Sequence, residues 1–304
     1  MLQCMSKLTL CLYLITGFSL HAQTTPNIPL VFDDYLDNVL PRKIRIMHSE
    51  MGQNDQINQG LDQLFASASN QFSEKGFLAL QELLQSSASY NELIVIDLRE
   101  ESHGFFNGFP VSWYCGLNND GNANKTIEQI DCDENERLQS LALQLDIINI
   151  GTFRAHNILT PYNFISSRTE KDFMETLIGT SYIRLPVPDH KHPSDDIVDK
   201  FLNIVNERKP GQWLHLHCRG GKGRTTTFLV LLDIIKNANQ VSLNDILHRQ
   251  FILDGSNLQA PHLKEERKEV SENRLKFIER FYDYCRLHPD FVIKWSEWNK
   301  QNHY

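Results

Sequence analysis

The feature that most constrains this chain is a glycine-rich segment that lies between an apolar strand and an apolar helix. The runs Trp213–His217 and Thr225–Lys236 predict a buried strand and a buried helix. The residues between them, from Cys218 to Arg224, include three glycines. A strand, a glycine-rich turn and a helix N-terminus form an anion-binding site, because backbone N–H groups and the helix dipole both face the ligand.

Cys218 is the predicted nucleophile of this loop. Helix N-termini and nearby cations favour the thiolate, which is the reactive form of cysteine. Arg224 follows six residues later, and its planar guanidinium can bind two phosphate oxygens at once. The hydroxyl of Thr225 can donate to the sulfur and ease its departure. The remaining loop residues, which are predicted to bind the phosphate, are Arg219, Gly220, Gly221, Lys222 and Gly223.

Two other interpretations of the loop fit the pattern less well. A lone cysteine in a tight turn is most often an inert buried thiol, but here three glycines and an arginine accompany it. A nucleotide-binding P-loop ends in Gly-Lys followed by Ser or Thr, whereas Lys222 is followed by Gly223. The loop therefore indicates cysteine-dependent phosphate chemistry.

Such chemistry also needs a group that protonates the leaving oxygen. Asp189 is the candidate, because it lies between the predicted strand Tyr182–Val187 and a helix that begins at Ser194, in a loop of the kind that can close over a substrate. His217 precedes the nucleophile and is predicted to orient the cysteine loop through hydrogen bonds. The histidines lack a third nearby ligand in the sequence, so neither a metal nor another cofactor is predicted.

Strands and helices alternate along the chain, which predicts an α/β fold with a mostly parallel central sheet flanked by helices. The other predicted strands are Leu93–Leu98 and Ile147–Ile150. The other predicted helices are Phe77–Leu84, Asp133–Gln144, Thr169–Gly179, Leu243–Phe251 and Glu272–Leu287. A small inserted sub-domain is predicted around residues 100–165, within which residues 102–130 are rich in Gly, Asn and aromatic side chains.

The first 22 residues predict an export signal. Lys7 is the only charged residue before Asp33, and an apolar run from Leu8 to Leu20 precedes Ala22, where cleavage is expected. The alternative is a buried N-terminal helix, while the run is too short for a comfortable membrane span. We therefore expect one mature domain over residues 23–304, periplasmic or secreted, with no stable membrane insertion.

The net charge of the chain limits the classes of binding partner. The formal net charge of −8 disfavours nucleic acid and anionic membranes as general partners. A small polyanionic substrate is still compatible, because fields from exposed charges fade over about 8 Å at physiological salt.

The mature chain keeps four cysteines, so up to two disulfides are conceivable, with Cys218 expected to be free. The other three are Cys115, Cys132 and Cys285.

The motifs of this sequence resemble those of a known family. The segment HCRGGKGRT, with Asp189-His190 and Pro193 upstream, resembles the protein-tyrosine-phosphatase superfamily. The closer resemblance is to the protein-tyrosine-phosphatase-like inositol polyphosphatases, the bacterial cysteine phytases, and its Asp-Leu-Arg-x-Glu-Ser-His-Gly segment is the most specific part. The segments that carry the resemblance are Ile96–Gly104 with Val111–Trp113, Arg184–Pro193, Trp213–Gln250, Phe277–Tyr282 and Trp295–Trp298.

This resemblance implies a protein-tyrosine-phosphatase-like core, a small partly formed β-barrel sub-domain beside it, and a two-step reaction that needs no metal. It implies that Cys218 attacks phosphorus, that Arg224 and the loop amides hold the oxygens, and that Asp189 acts first as acid and then as base. Further substrate contacts implied by the resemblance, some on looser alignment, are His190, Arg45, Arg154, Lys264 and Lys268.

The leading hypothesis is hydrolysis of inositol hexakisphosphate or lower inositol polyphosphates. Each phosphate monoester carries a charge of about −1.5 to −2, so several on one ring need more cations than one phosphotyrosine does. One alternative is a phosphoinositide-lipid or protein phosphatase that acts as an exported effector, and another is a non-catalytic binder of polyphosphorylated ligands. Arg219, Lys222 and Phe153 depart from the family's usual residues, which leaves the preference among substrates open.

Overall fold

The computed structural model describes residues 28–34, 39–47, 58–116, 119–143, 148–152 and 155–302. The predicted export signal at residues 1–22 lies outside this part of the chain, and so do Phe153 and Arg154. Within the described ranges, no helix combines the length and the apolar character that crossing a membrane requires.

The described residues contain eleven β-strands that form two sheets. The strands are β1 (Leu30–Phe32), β2 (Arg45–Ile46), β3 (Ala66–Asn70), β4 (Glu92–Arg99), β5 (His103–Phe106), β6 (Phe109–Trp113), β7 (Ile148–Thr152), β8 (Ala155–Tyr162), β9 (Ser167–Arg168), β10 (Thr180–Val187) and β11 (Gln212–Cys218). Five of them form the central sheet in the order β10–β4–β11–β3–β2, in which only β2 runs antiparallel to its neighbour. The predicted α/β fold with a mostly parallel central sheet is confirmed.

Eight α-helices complete the described fold. They are α1 (Glu74–Ser87), α2 (Ile127–Leu143), α3 (Glu170–Met174), α4 (Asp195–Asn206), α5 (Gly223–Asn237), α6 (Leu243–Ile252), α7 (Lys268–Leu287) and α8 (Trp295–Gln301). Helices α1 and α3 cover one face of the central sheet, where Phe77 packs in one cluster with Val95. Helices α4 to α8 cover the other face, where Phe228 packs in a larger cluster with Leu216.

Alternation along β11 decides which side chains reach which face of the central sheet. Leu216 and Cys218 belong to the larger cluster formed with α4 to α8. His215 and His217 share the other face, with ring centroids 6.4 Å apart, and Phe72 lies beside the His217 ring at 4.8 Å. The two histidines thus share one face of β11, and Cys218 lies on the opposite face.

The second sheet has six strands in the order β8–β7–β1–β6–β5–β9. Helix α2 covers it, and Leu138 and Leu141 pack there with Phe32 and Ile150. The family resemblance implied a partly formed barrel in this region, whereas no pairing among the described residues joins β8 to β9, so this sheet keeps two edges. The sub-domain boundaries at about 100–165 stay a prediction, and strands β1 and β9 join this sheet from outside that range.

Among the predicted helix termini, the start of α2 and the end of α3 differ most from the structure. Helix α2 begins six residues before the predicted Asp133, because Thr126 and Gln129 form reciprocal side-chain-to-backbone hydrogen bonds of 3.3 and 2.9 Å, a capping box visible in the sequence. The capping box at Thr169 is present, but α3 ends at Met174. Gly179, at φ 73°, instead forms the turn into β10, where its carbonyl accepts from the Leu93 N–H.

Candidate active site

The predicted reactive residues come together at one edge of the central sheet. Cys218 is the last residue of β11, Asp189 follows β10, and Glu101 follows β4. These three strands are parallel neighbours, so their carboxyl ends meet at the same edge, which is where ligands bind in parallel α/β sheets. We refer to Cys218, the loop to Thr225 and the facing Asp189 as the active-site cup.

The Cys218 thiol lies at the base of the cup and is only 3% exposed. The Thr225 hydroxyl, in the first turn of α5, donates to its Sγ at 3.0 Å. This is the contact that the sequence predicted between the two residues. A hydroxyl in this position can donate to the sulfur when the sulfur acts as a leaving group.

The backbone of the loop is held from outside by its carbonyl groups. The bonds are Gln71 N–H to the Arg219 carbonyl at 3.2 Å, Arg45 Nη1 to the Gly221 carbonyl at 2.9 Å, and Thr226 N–H to the Lys222 carbonyl at 2.7 Å. Because N–H and C=O of one peptide plane point in opposite directions, the N–H groups of Gly220, Lys222 and Gly223 point away from these partners. The same bonds therefore orient three amides toward the concave side, as anion binding requires.

Gly221 fixes how closely the loop approaches the sheet. Its φ is 61°, and a Cβ built there would lie 2.5 Å from the Asn70 nitrogen and 2.7 Å from the Ser69 carbonyl carbon. Any side chain would combine a strained backbone with a clash against β3. The position therefore accepts only glycine if the loop is to keep its place on the sheet.

Arg224 is fixed by acids on both sides. Its guanidinium forms a two-bond pair with Glu101 at 2.7 and 3.0 Å, and Nη2 lies 3.2 Å from Asp189 Oδ1. Burial alone would lower the pKa of Arg224, but the Glu101 and Asp189 charges outweigh it and hold the pKa well above its usual value. Burial raises the pKa of Glu101, and Arg224 and Arg99 reverse that effect and depress it. Glu101 was not predicted as a site residue, although it stands in the segment that carries the family resemblance.

The loop that carries Asp189 folds back over the cup. His190 adopts a left-handed conformation with φ 66°, and its N–H donates to Asp189 Oδ1 at 3.1 Å. The predicted substrate contact His190 lies beside Asp189, with Nε2 3.4 Å from Oδ2. Burial lowers the pKa of His190; Asp189 opposes this, and the positive charge of Arg267 adds to it. His192 stacks on Phe277 of α7 with 4.9 Å between ring centroids, which ties this loop to the helix.

Arg274 is a site residue that the sequence analysis missed. It extends from α7, donates to the His190 carbonyl, and its Nη1 would lie 3.0 Å from a Cβ at Gly223. Burial and Arg224 lower its pKa to about 10, against the opposing charges of Asp189 and Cys218, so it is cationic at neutral pH. The sequence signal for Arg274 was its helical spacing from apolar residues, since Arg274, Phe277 and Ile278 share the buried face of α7.

The lysines and arginines predicted as substrate contacts differ widely in their placement. Arg45 is buried behind the loop, where burial lowers its pKa to about 10 although Cys218 and Asp254 oppose the effect. Arg219 donates to Asp33 at 2.6 Å and lies over the Tyr114 ring at 4.7 Å. Lys222 and Lys264 are exposed. Lys268 forms an ion pair with Glu265 in the preceding helical turn, and Arg154 lies outside the described residues.

His217 does not lie on the nucleophile's side of the strand. Its Nε2 is 2.8 Å from Glu170 Oε1, on the face covered by α1 and α3. Its neighbour His215 lies between the hydroxyls of Ser67 and Ser69, and burial together with His217 lowers the pKa of His215 to about 3. The role of His217 in orienting the cysteine loop stays a prediction.

The remaining predictions concern metals and disulfides. No three histidines, cysteines or acids are grouped to hold a metal ion anywhere in the described ranges. All four cysteines of the predicted mature chain are free, including Cys218, so the two conceivable disulfides do not form in this structure.

Comparisons with known proteins add an independent observation. A family model named PTP-like phytase, with the description inositol hexakisphosphate, matches residues 96–236. A PTP-like phytase from Bdellovibrio bacteriovorus is 32% identical, with a TM-score of 0.71, and the match covers 90% of this chain and 95% of that one.

Other relatives are longer than this chain. The PTP-like myo-inositol phosphatase from Mitsuokella multacida, solved with myo-inositol-(1,3,4,5)-tetrakisphosphate, is 31% identical with a TM-score of 0.80, and the match covers 90% of this chain and 49% of that one. Effector protein hopD2 from Pseudomonas syringae pv. tomato is 30% identical over 218 residues, which is 68% of this chain and 46% of that protein. The chain thus spans about half the length of these two relatives.

Proposed function

The chain belongs to the protein-tyrosine-phosphatase-like phytase family, and from this premise we propose that it hydrolyses inositol hexakisphosphate or lower inositol polyphosphates through a phosphocysteine intermediate. The observation that carries the proposal is the cup itself. The Cys218 sulfur, which accepts from Thr225 at 3.0 Å, shares one edge of the sheet with Arg224 and Asp189, which are 3.2 Å apart.

In the first step, the Cys218 thiolate attacks phosphorus and the bond from phosphorus to the inositol oxygen breaks. Arg224 and the inward loop amides bind the three non-bridging oxygens, whose charge they stabilise in the transition state. Asp189 gives its proton to the leaving oxygen, so inositol departs as an alcohol. Its position between Arg224 and His190 keeps its carboxyl group on the side of the cup from which the leaving group must exit.

In the second step, water attacks the phosphocysteine and Asp189, now a carboxylate, accepts its proton. The phosphorus–sulfur bond breaks and inorganic phosphate leaves. The Thr225 hydroxyl donates to the departing sulfur, which lowers the energy of the thiolate leaving group. The proton balance is restored because the acid of the first step becomes the base of the second.

The charge around the cup suits a substrate with several phosphates. Lys222 is exposed on the loop, Arg274 is buried against it, and Arg267 is close enough to lower the pKa of His190. These cations lie outside the Arg224 site that one phosphate needs. A ring bearing several groups of about −2 charge can use them, whereas a single phosphotyrosine cannot.

The test is product analysis from inositol hexakisphosphate with the wild type beside Cys218→Ser. We expect phosphate release by the wild type, no turnover by Cys218→Ser, and retained substrate binding by the variant in calorimetry. Cys132→Ser is the matched control, because Cys132 is exposed on α2 and should leave the rate unchanged. Turnover by Cys218→Ser, or tight binding without phosphate release by reduced wild type, would contradict the proposal, and the second result would favour a non-catalytic binder.

A second candidate function comes from the similarity to effector protein hopD2. A phosphoinositide-lipid or protein phosphatase uses the same cup and differs only in what surrounds it. Phosphate release from inositol hexakisphosphate, a short-chain phosphoinositide and a phosphotyrosine peptide separates these functions. A kcat/KM for the peptide well above that for inositol hexakisphosphate would replace the leading substrate class.

We also propose that the protein acts after export, as a mature domain over residues 23–304. The apolar segment from Leu8 to Leu20 supports this proposal. N-terminal sequencing of the native protein tests it, and a mature chain beginning close to Gln23 is expected. A protein that retains Met1 in the cytoplasmic fraction would reject it.

A further inference from the structure

One acidic residue next to the second sheet, Asp33, contacts the active-site cup. Asp33 directly follows β1, and its side chain is fully buried. The remaining contacts of β1 are those of its own sheet, where it pairs with β6 and β7. A fully buried carboxylate needs cations or hydrogen-bond donors around it. The partners of Asp33 therefore indicate the role of this residue.

Three donors surround the Asp33 carboxylate. Ser112 Oγ of β6 and Arg219 Nε donate to Oδ1 at 2.8 and 2.6 Å, and Arg99 Nη1 donates to Oδ2 at 2.7 Å. Burial raises the pKa of Asp33, but Arg99, Arg219 and Ser112 together bring it below its usual value. The carboxylate is therefore ionised at neutral pH and holds two arginines at once.

The two arginines lead to opposite ends of the cysteine loop. Arg219 is the residue immediately after Cys218. Arg99 donates from Nε to Glu101 Oε1 at 2.9 Å, and Glu101 forms the two-bond pair with Arg224, the last charged residue of the loop. Asp33 thus joins both ends of the loop through a continuous path of buried, ionised groups.

We infer that Asp33 is a positioning residue for the cysteine loop, which it holds through Arg219 at one end and through Arg99 and Glu101 at the other. The inference rests on the proposed function. It also reassigns Arg219, whose guanidinium lies between the Asp33 carboxylate and the Tyr114 ring, from substrate recognition to loop support. Lys222, which is exposed on the same loop, keeps the recognition role.

A positioning role has a kinetic signature that recognition lacks. A loop whose amides and arginine are displaced loses transition-state stabilisation for every phosphate ester, so kcat falls on all substrates. The expected loss for Asp33→Asn is roughly 10- to 100-fold in kcat, as for small misplacements of catalytic groups. KM should change less than about threefold, because ground-state binding by the exposed cations is retained.

The probes are p-nitrophenyl phosphate, which carries one phosphate, and inositol hexakisphosphate. We expect Asp33→Asn and Arg219→Met to lower kcat on both probes by similar factors. We expect the double variant to be no slower than the slower single one, because both changes break the same contact. Multiplied losses in the double variant, or losses confined to KM for inositol hexakisphosphate, would overturn the inference.

Ser112→Ala keeps the inference testable if Asp33→Asn does not fold, because it removes a single neutral donor. It should lower kcat about two- to fivefold on both probes at an unchanged KM. Asp34→Asn is the matched control, since Asp34 pairs with the exposed Arg42 and should leave kcat unchanged. An unchanged kcat in Ser112→Ala together with an unchanged kcat in folded Arg219→Met would also overturn the inference.

The proposed function and this inference fail differently. Wild type that releases no phosphate from either probe would reject the function. Wild type that hydrolyses only p-nitrophenyl phosphate would reject the substrate class, and the positioning role could still be measured on that probe. Active wild type with Asp33→Asn at full kcat would reject the positioning role alone.

Discussion

Two charged groups of residues lie at the same end of the central sheet, and only one of them is built for chemistry. The active-site cup lies on the side of α5, whereas a buried polar cluster lies on the side of α1 and α3. This cluster consists of Asp97, His103, Glu134, Glu170, Arg184 and His217. Both groups contain acids and cations at hydrogen-bonding distances. The comparison shows what separates a catalytic site from a structural ion cluster.

The side chains of the buried polar cluster contact one another, and Arg184 also donates to the Arg99 and Glu101 carbonyls at 3.0 Å. Arg184 Nη1 lies 2.9 Å from Glu134, His103 Nε2 lies 3.3 Å from Asp97, and the Tyr182 hydroxyl donates to Asp97 at 2.8 Å. In the cup, by contrast, three loop amides and the Cys218 sulfur face the concave side. Charges that satisfy one another stabilise a fold, whereas donors oriented toward a cavity can stabilise a ligand or a transition state.

The sharpest test of the comparison is Asp189→Asn. Loss of the acid should lower kcat roughly 10²- to 10⁴-fold with an alkyl phosphate such as inositol hexakisphosphate. The loss should be much smaller with p-nitrophenyl phosphate, whose leaving group needs no proton. Steady-state kinetics on both substrates measures the difference, and the melting temperature should stay close to that of wild type.

Asp196→Asn is the control for this variant, because Asp196 is an exposed acid in the first turn of α4. It should leave kcat unchanged on both substrates. Equal losses on the alkyl and aryl phosphates in Asp189→Asn would show that Asp189 supports the loop and does not act as the acid.

The difference between the two groups also explains what the sequence could predict. Cys218, Arg224 and Thr225 lie within one strand–loop–helix segment, so their meeting follows from local geometry. Glu101 and Arg274 reach the cup from β4 and α7, and Asp33 reaches the loop from β1. Their contacts depend on the packing of distant elements, which hydrophobic periodicity does not encode.

The second prediction tests the buried polar cluster through Arg184→Met. Removing this cation leaves the buried Glu134 without its arginine partner and leaves the buried Asp97 with His103 as its nearest cation. Breaking a buried ion pair in this way costs about 3–5 kcal/mol of the free energy of unfolding. Urea denaturation measures the loss. The kcat per folded molecule should fall far less than in Asp189→Asn, because Arg184 reaches the loop only through the Arg99 and Glu101 carbonyls.

Lys171→Met provides the contrast, because Lys171 and Glu175 form an exposed pair with side chains 61% and 63% exposed. Exposed pairs of this kind contribute about 0–1 kcal/mol. A large kcat loss in folded Arg184→Met would mean that the cluster takes part in catalysis, and the distinction between the two groups would disappear.

The third prediction concerns pH and the same cluster. Burial and Arg99 lower the pKa of His103, but Asp97 and Glu134 outweigh them and raise it from 6.5 to about 10. A raised pKa in the folded state means that this stabilisation is complete below pH 6.5 and is lost as the pH rises through about 10. The free energy of unfolding should therefore fall over this window, by at most about 1.4 kcal/mol per pH unit from this group.

Denaturant unfolding of wild type and His103→Gln at several values across this window measures the effect. The variant should be less stable at neutral pH, and its stability should decline less steeply toward alkaline pH. Parallel pH dependences in the two proteins would show that His103 is not protonated in the fold, and the ion pairs of the cluster would then be those of Arg184.

Fold prediction succeeded for most local patterns, although it missed the local capping box at Thr126, and it could not reach pairings that tertiary contacts decide. The short apolar run Leu93–Leu98 predicted a buried strand, and it lies within β4 of the central sheet. The segment 102–130 carried no clear period, and it contains β5 and β6, whose register depends on β1 and β9. β5 and β6 pair with each other through the Asn107-Gly108 turn, a local hairpin signal that the sequence analysis missed. Their pairing with β1 and β9 joins residues far apart in sequence, so no window of neighbouring residues reveals it.

The smallest predicted effect separates recognition from support within the cup. Lys222 is exposed, whereas Arg219 is held by Asp33, although both are cations of one loop. Lys222→Met should raise KM for inositol hexakisphosphate about 2- to 5-fold, comparable to an exposed ion pair, with kcat nearly unchanged. The effect should shrink at high salt, because ions screen an exposed charge, and p-nitrophenyl phosphate should show almost none of it. Lys300→Met, at an exposed position of α8, is the control. A kcat loss on both substrates would instead place Lys222 with Arg219 among the residues that hold the loop.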